Sequence, residues 1–208
     1  KLDAIRNRAV TDMMEPGSTV KPFTLLAALE SGKFKPESVI NTSPGRIKVS
    51  YKTFVDPHDY GRLDLAGILT KSSQVGTTKL ALQLNPDTTR ELFERMGFGE
   101  SIGSGFPGET SGSLPSYRKW DPVTQSTFSF GYGISASALQ LARAYSILAS
   151  NGFRKEVSMV ALDDAPESVA VIDPKLTGLI RTMLETAASD QGTGKRAMID
   201  GYSVGGKT

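Results

Sequence analysis

The sequence predicts a mainly helical fold with short strand pieces. Three observations predict it: Asp-Pro and Asn-Pro start signals ahead of apolar runs, glycine stops behind them, and few stretches of strict alternation. Residues 1–16 read as a polar approach without a clear period. A first helix is expected over about 18–31, where an apolar run from Phe23 to Leu29 ends near Gly32. Pro22 is tolerated only near a first turn, so this helix should start at about Ser18, with Pro16-Gly17 as the turn before it. Residues 33–62 are rich in Pro, Gly, Ser and Asp. They form a long excursion in which Ile47, Val49 and Tyr51 alternate as in a short hairpin.

Further along, Asp64 is the expected cap of a helix from Leu65 to Lys71. Ser72-Ser73-Gln74 interrupts it, Val75 to Leu84 is helical again, and Asn85-Pro86 opens a helix to about Met96. Gly97 to Ser116 is a glycine-rich loop. Asp121-Pro122 starts a helix to about Phe130, broken by Gly131-Tyr132-Gly133. Ser135 is the expected cap of a helix from Ala136 to Ser150, with Leu139, Ala142, Tyr145 and Ala149 as its apolar stripe. Val157 to Leu162 is a strand candidate, Asp173-Pro174 opens a helix to about Ala188, and a strand is expected to begin within 202–206.

Composition removes several function classes. The chain has 208 residues, 38% hydrophobic and 22% charged, with a net charge of +2. Its bases and acids are intermixed, so no basic stripe for nucleic acid forms. His58 is the single histidine and reads as a loop residue, which argues against a Ser-His-Asp triad. With no Cys there is no disulfide framework, zinc-thiolate cluster or thiol nucleophile. No run of about 18 apolar residues marks a membrane span within these residues, and no signal peptide is visible. The chain starts at Lys1 without an initiator Met and stops after Thr208, which reads as an excerpt, 1–208, of one larger domain.

Chemistry concentrates at Ser18-Thr19-Val20-Lys21. Residues i and i+3 of a helix share a face, so Ser18 and Lys21 should point the same way. A hydroxyl at a helix start sees free N–H groups and a positive dipole end, and a neutral amine one turn along can take its proton. On these residues alone, a helix cap beside a solvated lysine is the favoured reading.

Two other fragments join the first. Ser72-Ser73-Gln74 lies in a break between helices, and Lys207-Thr208 closes the chain. The order resembles the signature Ser-x-x-Lys, Ser-x-Asn, Lys-Thr/Ser-Gly of penicillin-binding proteins and serine β-lactamases. The match extends to Asn7-Arg8-Ala9, Glu15 to Phe23, Lys71-Ser72-Ser73, Gly105 to Glu109, Phe130 to Gly133 and Leu139 to Tyr145. Over essentially its whole length the chain resembles a class B penicillin-binding protein of the division septum, the D,D-transpeptidase type often called penicillin-binding protein 3.

That resemblance implies an α/β (α+β) transpeptidase fold, of which these residues are the mostly helical part, with much of the central antiparallel sheet outside them. It implies Ser18 as the nucleophile, Lys21 as its base and Ser72 as a proton relay, with Ser73 structural. Gln74, Lys207 and Thr208 would bind substrate; Tyr132, in a Gly-flanked break, either lines the cleft or is an ordinary buried aromatic, two equal readings. The substrates would be peptidoglycan stem peptides, the inhibitors β-lactams, and the partners other cell-division proteins. No metal or organic cofactor is implied. The enzyme would face the periplasm, held to the inner membrane by an anchor outside these residues.

Two departures stand out. The family has Asn where this chain has Gln74, whose extra methylene moves the amide by more than an ångström. The Lys-Thr-Gly motif stops at Thr208. Two alternatives remain. Gly201 to Thr208 also fits the phosphate-loop pattern G-x-x-x-x-G-K-[ST], although Met198 to Gly201 is short and polar for the strand it needs. The other is a non-catalytic relative that binds wall peptide or a division partner.

Overall fold

The computed structural model describes residues 6–116, 118, 120–164 and 166–208. The first part of the expected polar approach, 1–5, lies outside the described residues. After a short helix α1 (Arg8–Thr11) the chain reaches the axis of the fold, α2 (Lys21–Glu30), in which every residue from Lys21 to Leu29 is buried. The segment before α2 is a separate 3-10 turn, Gly17–Val20, and not the continuous helix expected from Ser18. Gly17 starts that turn at φ +57, a left-handed conformation that glycine adopts without a Cβ penalty. Pro22 then sits in the first helical turn, where its missing N–H is harmless.

The helices around α2 start where their caps predict. The Asp64 carboxylate accepts the Gly67 N–H ahead of α3 (Leu65–Thr70), and the Ser73 hydroxyl accepts the Gly76 N–H ahead of α4 (Gln74–Ala81). Asn85 caps α5 (Pro86–Arg95), Asp121 caps α6 (Pro122–Phe128) and Asp173 caps α8 (Pro174–Ala188). Each side chain satisfies an N–H that the helix leaves open. Helix α7 (Ala138–Ala149) departs from expectation twice. Ser137, not Ser135, caps it, in a capping box with Gln140, because the Ser135 backbone is paired with Ser113. Its buried face is Gln140, Arg143, Ala144, Ile147 and Leu148, while Ala142 and Ala149 are exposed. The expected stripe missed this face because buried Gln140 and Arg143 are polar. Gln140 bonds the carbonyls of Glu100 and Ser111, and Arg143 that of Gly97.

Strands are peripheral. β1 (Ile40–Asn41) pairs antiparallel with β4 (Arg62–Leu63), and β2 (Arg46–Val49) with β3 (Lys52–Val55). The β2–β3 hairpin puts Ile47, Val49 and Phe54 against Val123 and Phe130 in a small second core, while Tyr51 is exposed at its turn. No strand forms over 157–162. The pairing there is β5 (Phe153–Lys155) with β6 (Ser168–Ala170). Gly152 sets it: its carbonyl accepts the N–H groups of Val171 and Ile172, and a Cβ would lie 2.1 Å from the Ile172 oxygen. Residues 202–206 have no strand partner among the described residues and run as loop; Gly206 bonds the Leu184 carbonyl of α8.

The main core gathers on α2. Phe23 is fully buried and meets Phe98 at 5.5 Å, Tyr145 at 5.4 Å and Phe93 at 6.1 Å, edge to face. Phe23→Ala should cost about 3–5 kcal/mol of unfolding free energy, read from the urea midpoint at unchanged slope.

Candidate active site

Ser18 lies in the 3-10 turn and Lys21 begins α2. In a 3-10 turn residues i and i+3 eclipse, which brings both side chains to one side. Lys21 is fully buried. Its Nζ donates to the Ser72 carbonyl and, at 3.0 Å, to Ser72 Oγ. Ser72 Oγ lies 3.3 Å from Ser18 Oγ. The hydroxyl of Ser72 therefore stands between the other two groups. No direct hydrogen bond joins Ser18 to Lys21 among the described residues; the two groups are linked through Ser72.

Ser72 reaches this place through the end of α3. Its own N–H donates to the Leu69 carbonyl and the Ser73 N–H to the Ile68 carbonyl, a paired closure in which Ser72 occupies the left-handed position at φ +54. Glycine is the usual residue there, and a side chain costs about 1–2 kcal/mol.

Asp56, which the sequence reading passed over, holds the other side of this turn. It is buried, and its carboxylate accepts from Ser73 Oγ at 2.5 Å, the Gln74 N–H at 2.6 Å and the Val75 N–H at 3.2 Å. Its own N–H is fixed by the Gly45 carbonyl. Nothing in the sequence separates Asp56 from the other acids of the excursion, because its role depends on how the β2–β3 hairpin returns to α4. Ser73 is structural, as expected. Tyr145 is a second such contact: its hydroxyl donates to the Thr19 carbonyl at 2.8 Å and braces the turn that carries Ser18.

The remaining expected residues are placed less tightly. Gln74 is the first residue of α4, anchored by its backbone, and its amide makes no hydrogen bond to Lys21 among the described residues. The group that meets Lys21 here is Ser72. Tyr132 is half exposed in the loop next to Ser18, because the Gly17 N–H donates to the Gly131 carbonyl at 3.1 Å. A Cβ on Gly131 would lie 2.1 Å from the Gly17 oxygen, so only glycine permits this approach. Lys207 and Thr208 line an open cleft of about 980 Å³ with Thr193, Lys195 and Arg196. Thr208 Oγ1 is 2.7 Å from Thr193 Oγ1, and neither group bonds Ser18. His58 is exposed beside Tyr60. Gly201 to Thr208 form no strand–loop–helix unit, which removes the structural setting of a phosphate loop. Among the described residues no group of three or more His, Asp or Glu could hold a metal, and no helix is long and apolar enough to cross a membrane.

Electrostatics favour a neutral Lys21. Burial pushes its amine down to about 7, the charge of Lys207 adds to the depression, and the Asp56 carboxylate opposes it. Burial also pushes Lys207 down to about 8. A base is competent when deprotonated, so a reaction using Lys21 should speed up as pH rises through about 7. Asp56→Asn keeps an oxygen for the two backbone N–H groups but removes the opposing charge. The rising limb of the rate should therefore move to lower pH, as a pH series of single-turnover rates would show. A limb that stays in place or moves up would contradict the electrostatic role given to Asp56.

The chain matches the family model described as "Penicillin binding protein transpeptidase domain" over residues 1–208. It is similar to a probable peptidoglycan D,D-transpeptidase PenA of Neisseria flavescens, 44% identical over 203 residues, 98% of this chain and 50% of the relative. It is also similar to peptidoglycan D,D-transpeptidase FtsI of Escherichia coli (strain K12), 38% identical over 206 residues, 99% of this chain and 35% of the relative. The chain thus spans half or less of these curated relatives. Among solved structures it is similar to the apo transpeptidase domain of Burkholderia pseudomallei penicillin-binding protein 3, with TM-score 0.93 and 37% identity, covering 97% of this chain and 62% of that one. The chain belongs to the penicillin-binding protein transpeptidase domain family.

Proposed function

We propose that residues 1–208 are part of one transpeptidase domain of a peptidoglycan D,D-transpeptidase that works through a serine acyl-enzyme. The observation that carries this reading is the run of contacts from Ser18 through Ser72 to a buried Lys21 with a depressed pKa. In the first half-reaction Ser18 Oγ bonds to the carbonyl carbon of the penultimate D-Ala of a stem peptide. Its proton passes through the Ser72 hydroxyl to Lys21. The amide C–N bond then breaks, and the same relay returns the proton to the departing D-Ala amine. In the second, an amine of a neighbouring stem attacks the ester carbonyl and gives its proton to the relay, the acyl carbon–Oγ bond breaks as the new amide forms, and the relay returns that proton to Ser18 Oγ. The Ser18 backbone N–H lies at the start of its turn and would stabilise the oxyanion. Lys207 and Thr208 would take the substrate carboxylate, and Tyr132 and Gln74 would line the cleft.

The names of the FtsI and PenA relatives support the transpeptidase assignment and, through FtsI, a septal role with other division proteins as partners. On the same reading the domain faces the periplasm, tethered to the inner membrane by a segment outside these residues, and β-lactams acylate Ser18 as false substrates. Wall-peptide binding without catalysis would need an unreactive serine. The contacts around Ser18 favour chemistry.

Mass spectrometry of the full-length protein after incubation with a β-lactam should show one covalent adduct on Ser18. Ser18→Ala should remove it, and an adduct persisting in that variant would refute the nucleophile. Gln74→Asn tests the departure at this position. The shorter amide has one fewer bond to freeze and restores the reach the family uses, so acylation should speed up by roughly tenfold with little change in stability. Stopped-flow acylation that is slower with Asn would show a pocket built around Gln74.

A further inference from the structure

The four residues before the candidate nucleophile, Met14 to Gly17, are fastened to the loop that carries Tyr132. Met14 and Ala136 exchange both backbone hydrogen bonds, each 3.0 Å, and the Gly17 N–H donates to the Gly131 carbonyl. One further contact is made by a side chain: Glu15 Oε1 accepts the Gly133 N–H at 2.9 Å. This contact falls on the C-terminal side of Tyr132; on the other side the Tyr132 N–H donates to the Thr127 carbonyl at 3.1 Å. Tyr132 stands between Gly131 at φ +91 and Gly133 at φ +74, two residues with the widest backbone freedom. Its ring is about half exposed and touches the edge of Phe130 at a centroid distance of 5.9 Å. A Cβ on Gly133 would meet nothing within 4 Å, so packing does not hold that residue.

We infer that Glu15 is a positioning residue: by holding Gly133 it fixes Tyr132 as one wall of the ligand cleft, and so sets how tightly a ligand docks before chemistry. Glu15 makes no hydrogen bond to Ser18, Lys21 or Ser72 among the described residues, so its loss leaves the proton relay in place. A freed Tyr132 samples positions away from the cleft, and binding must then restrict it again. An aromatic wall with a polar tip would take a flat, partly apolar face of the ligand. The inference rests on the transpeptidase reading above.

The experiment is stopped-flow acylation of the full-length protein by a fluorescent penicillin, which separates the dissociation constant of the first complex from the acylation rate constant. Acylation of the unaltered protein is the check on the transpeptidase reading itself; without it both readings fall. With it, Glu15→Ala should weaken the first complex by roughly threefold to tenfold, the scale of one polar contact. The acylation rate constant should stay within about twofold, since the relay is untouched. Tyr132→Ala should weaken the same step, and the double variant should be no weaker than Tyr132→Ala alone, since Glu15 acts through that ring. Glu15→Gln retains an oxygen that can accept from Gly133 and should recover most of the affinity. Effects of Glu15→Ala and Tyr132→Ala that multiply, an acylation rate that falls while docking is unchanged, unchanged docking in Glu15→Ala, or a Glu15→Gln variant as weak as Glu15→Ala would each overturn the role.

Discussion

A lysine amine buried without a carboxylate in contact is the constraint around which this structure is arranged. An ammonium in a dry interior is costly, and the cost lowers the pH at which the group gives up its proton. Lys21 is fully buried and makes no ion pair among the described residues; its hydrogen bonds go to the carbonyl and hydroxyl of Ser72. A neutral amine suits those partners, because it can donate to the carbonyl and offer its lone pair to a hydroxyl proton. The burial that makes α2 the axis of the core is thus also what lowers the pKa of the Lys21 amine, as the proposed role of a base requires. Phe23, two residues further on, anchors the aromatic cluster of Phe93, Phe98 and Tyr145 that packs against this helix.

Asp56 and Lys207 act on that amine from opposite directions. The carboxylate is drawn to the N-terminus of α4, where two backbone N–H groups and the Ser73 hydroxyl surround it. It holds the turn that presents Ser72 and tempers the depression of Lys21. One residue therefore couples the shape of the site to its protonation, and the β2–β3 hairpin is the scaffold that delivers it.

The parts legible in the sequence are those decided within a few residues. Asp64, Asn85, Asp121 and Asp173 mark helix starts because a cap bonds an N–H two or three positions on. Ser18, Lys21 and Ser72 were legible as a group through their resemblance to a known signature, and their meeting follows from α2, α3 and α4 packing together. Features settled at long range were not legible. The strand expected over 157–162 gave way to pairing fixed by the Gly152 contact with Ile172. The buried stripe of α7 ran through Gln140 and Arg143, whose burial depends on carbonyls offered by Gly97, Glu100 and Ser111. Asp56 is silent in sequence for the same reason.

The left-handed backbone of Ser72 ties the fold to the chemistry in a way selection for stability would undo. The closure of α3 is complete in its hydrogen bonds and asks only for a residue without a side chain. Glycine would satisfy it better and would erase the hydroxyl between Ser18 and Lys21. The chain keeps the less comfortable residue, and its strain has the small, local size at which a folded core can carry it. An engineer raising the melting temperature of this domain by consensus helix capping would arrive at position 72 early and, on the proposed relay, would silence the protein by improving it.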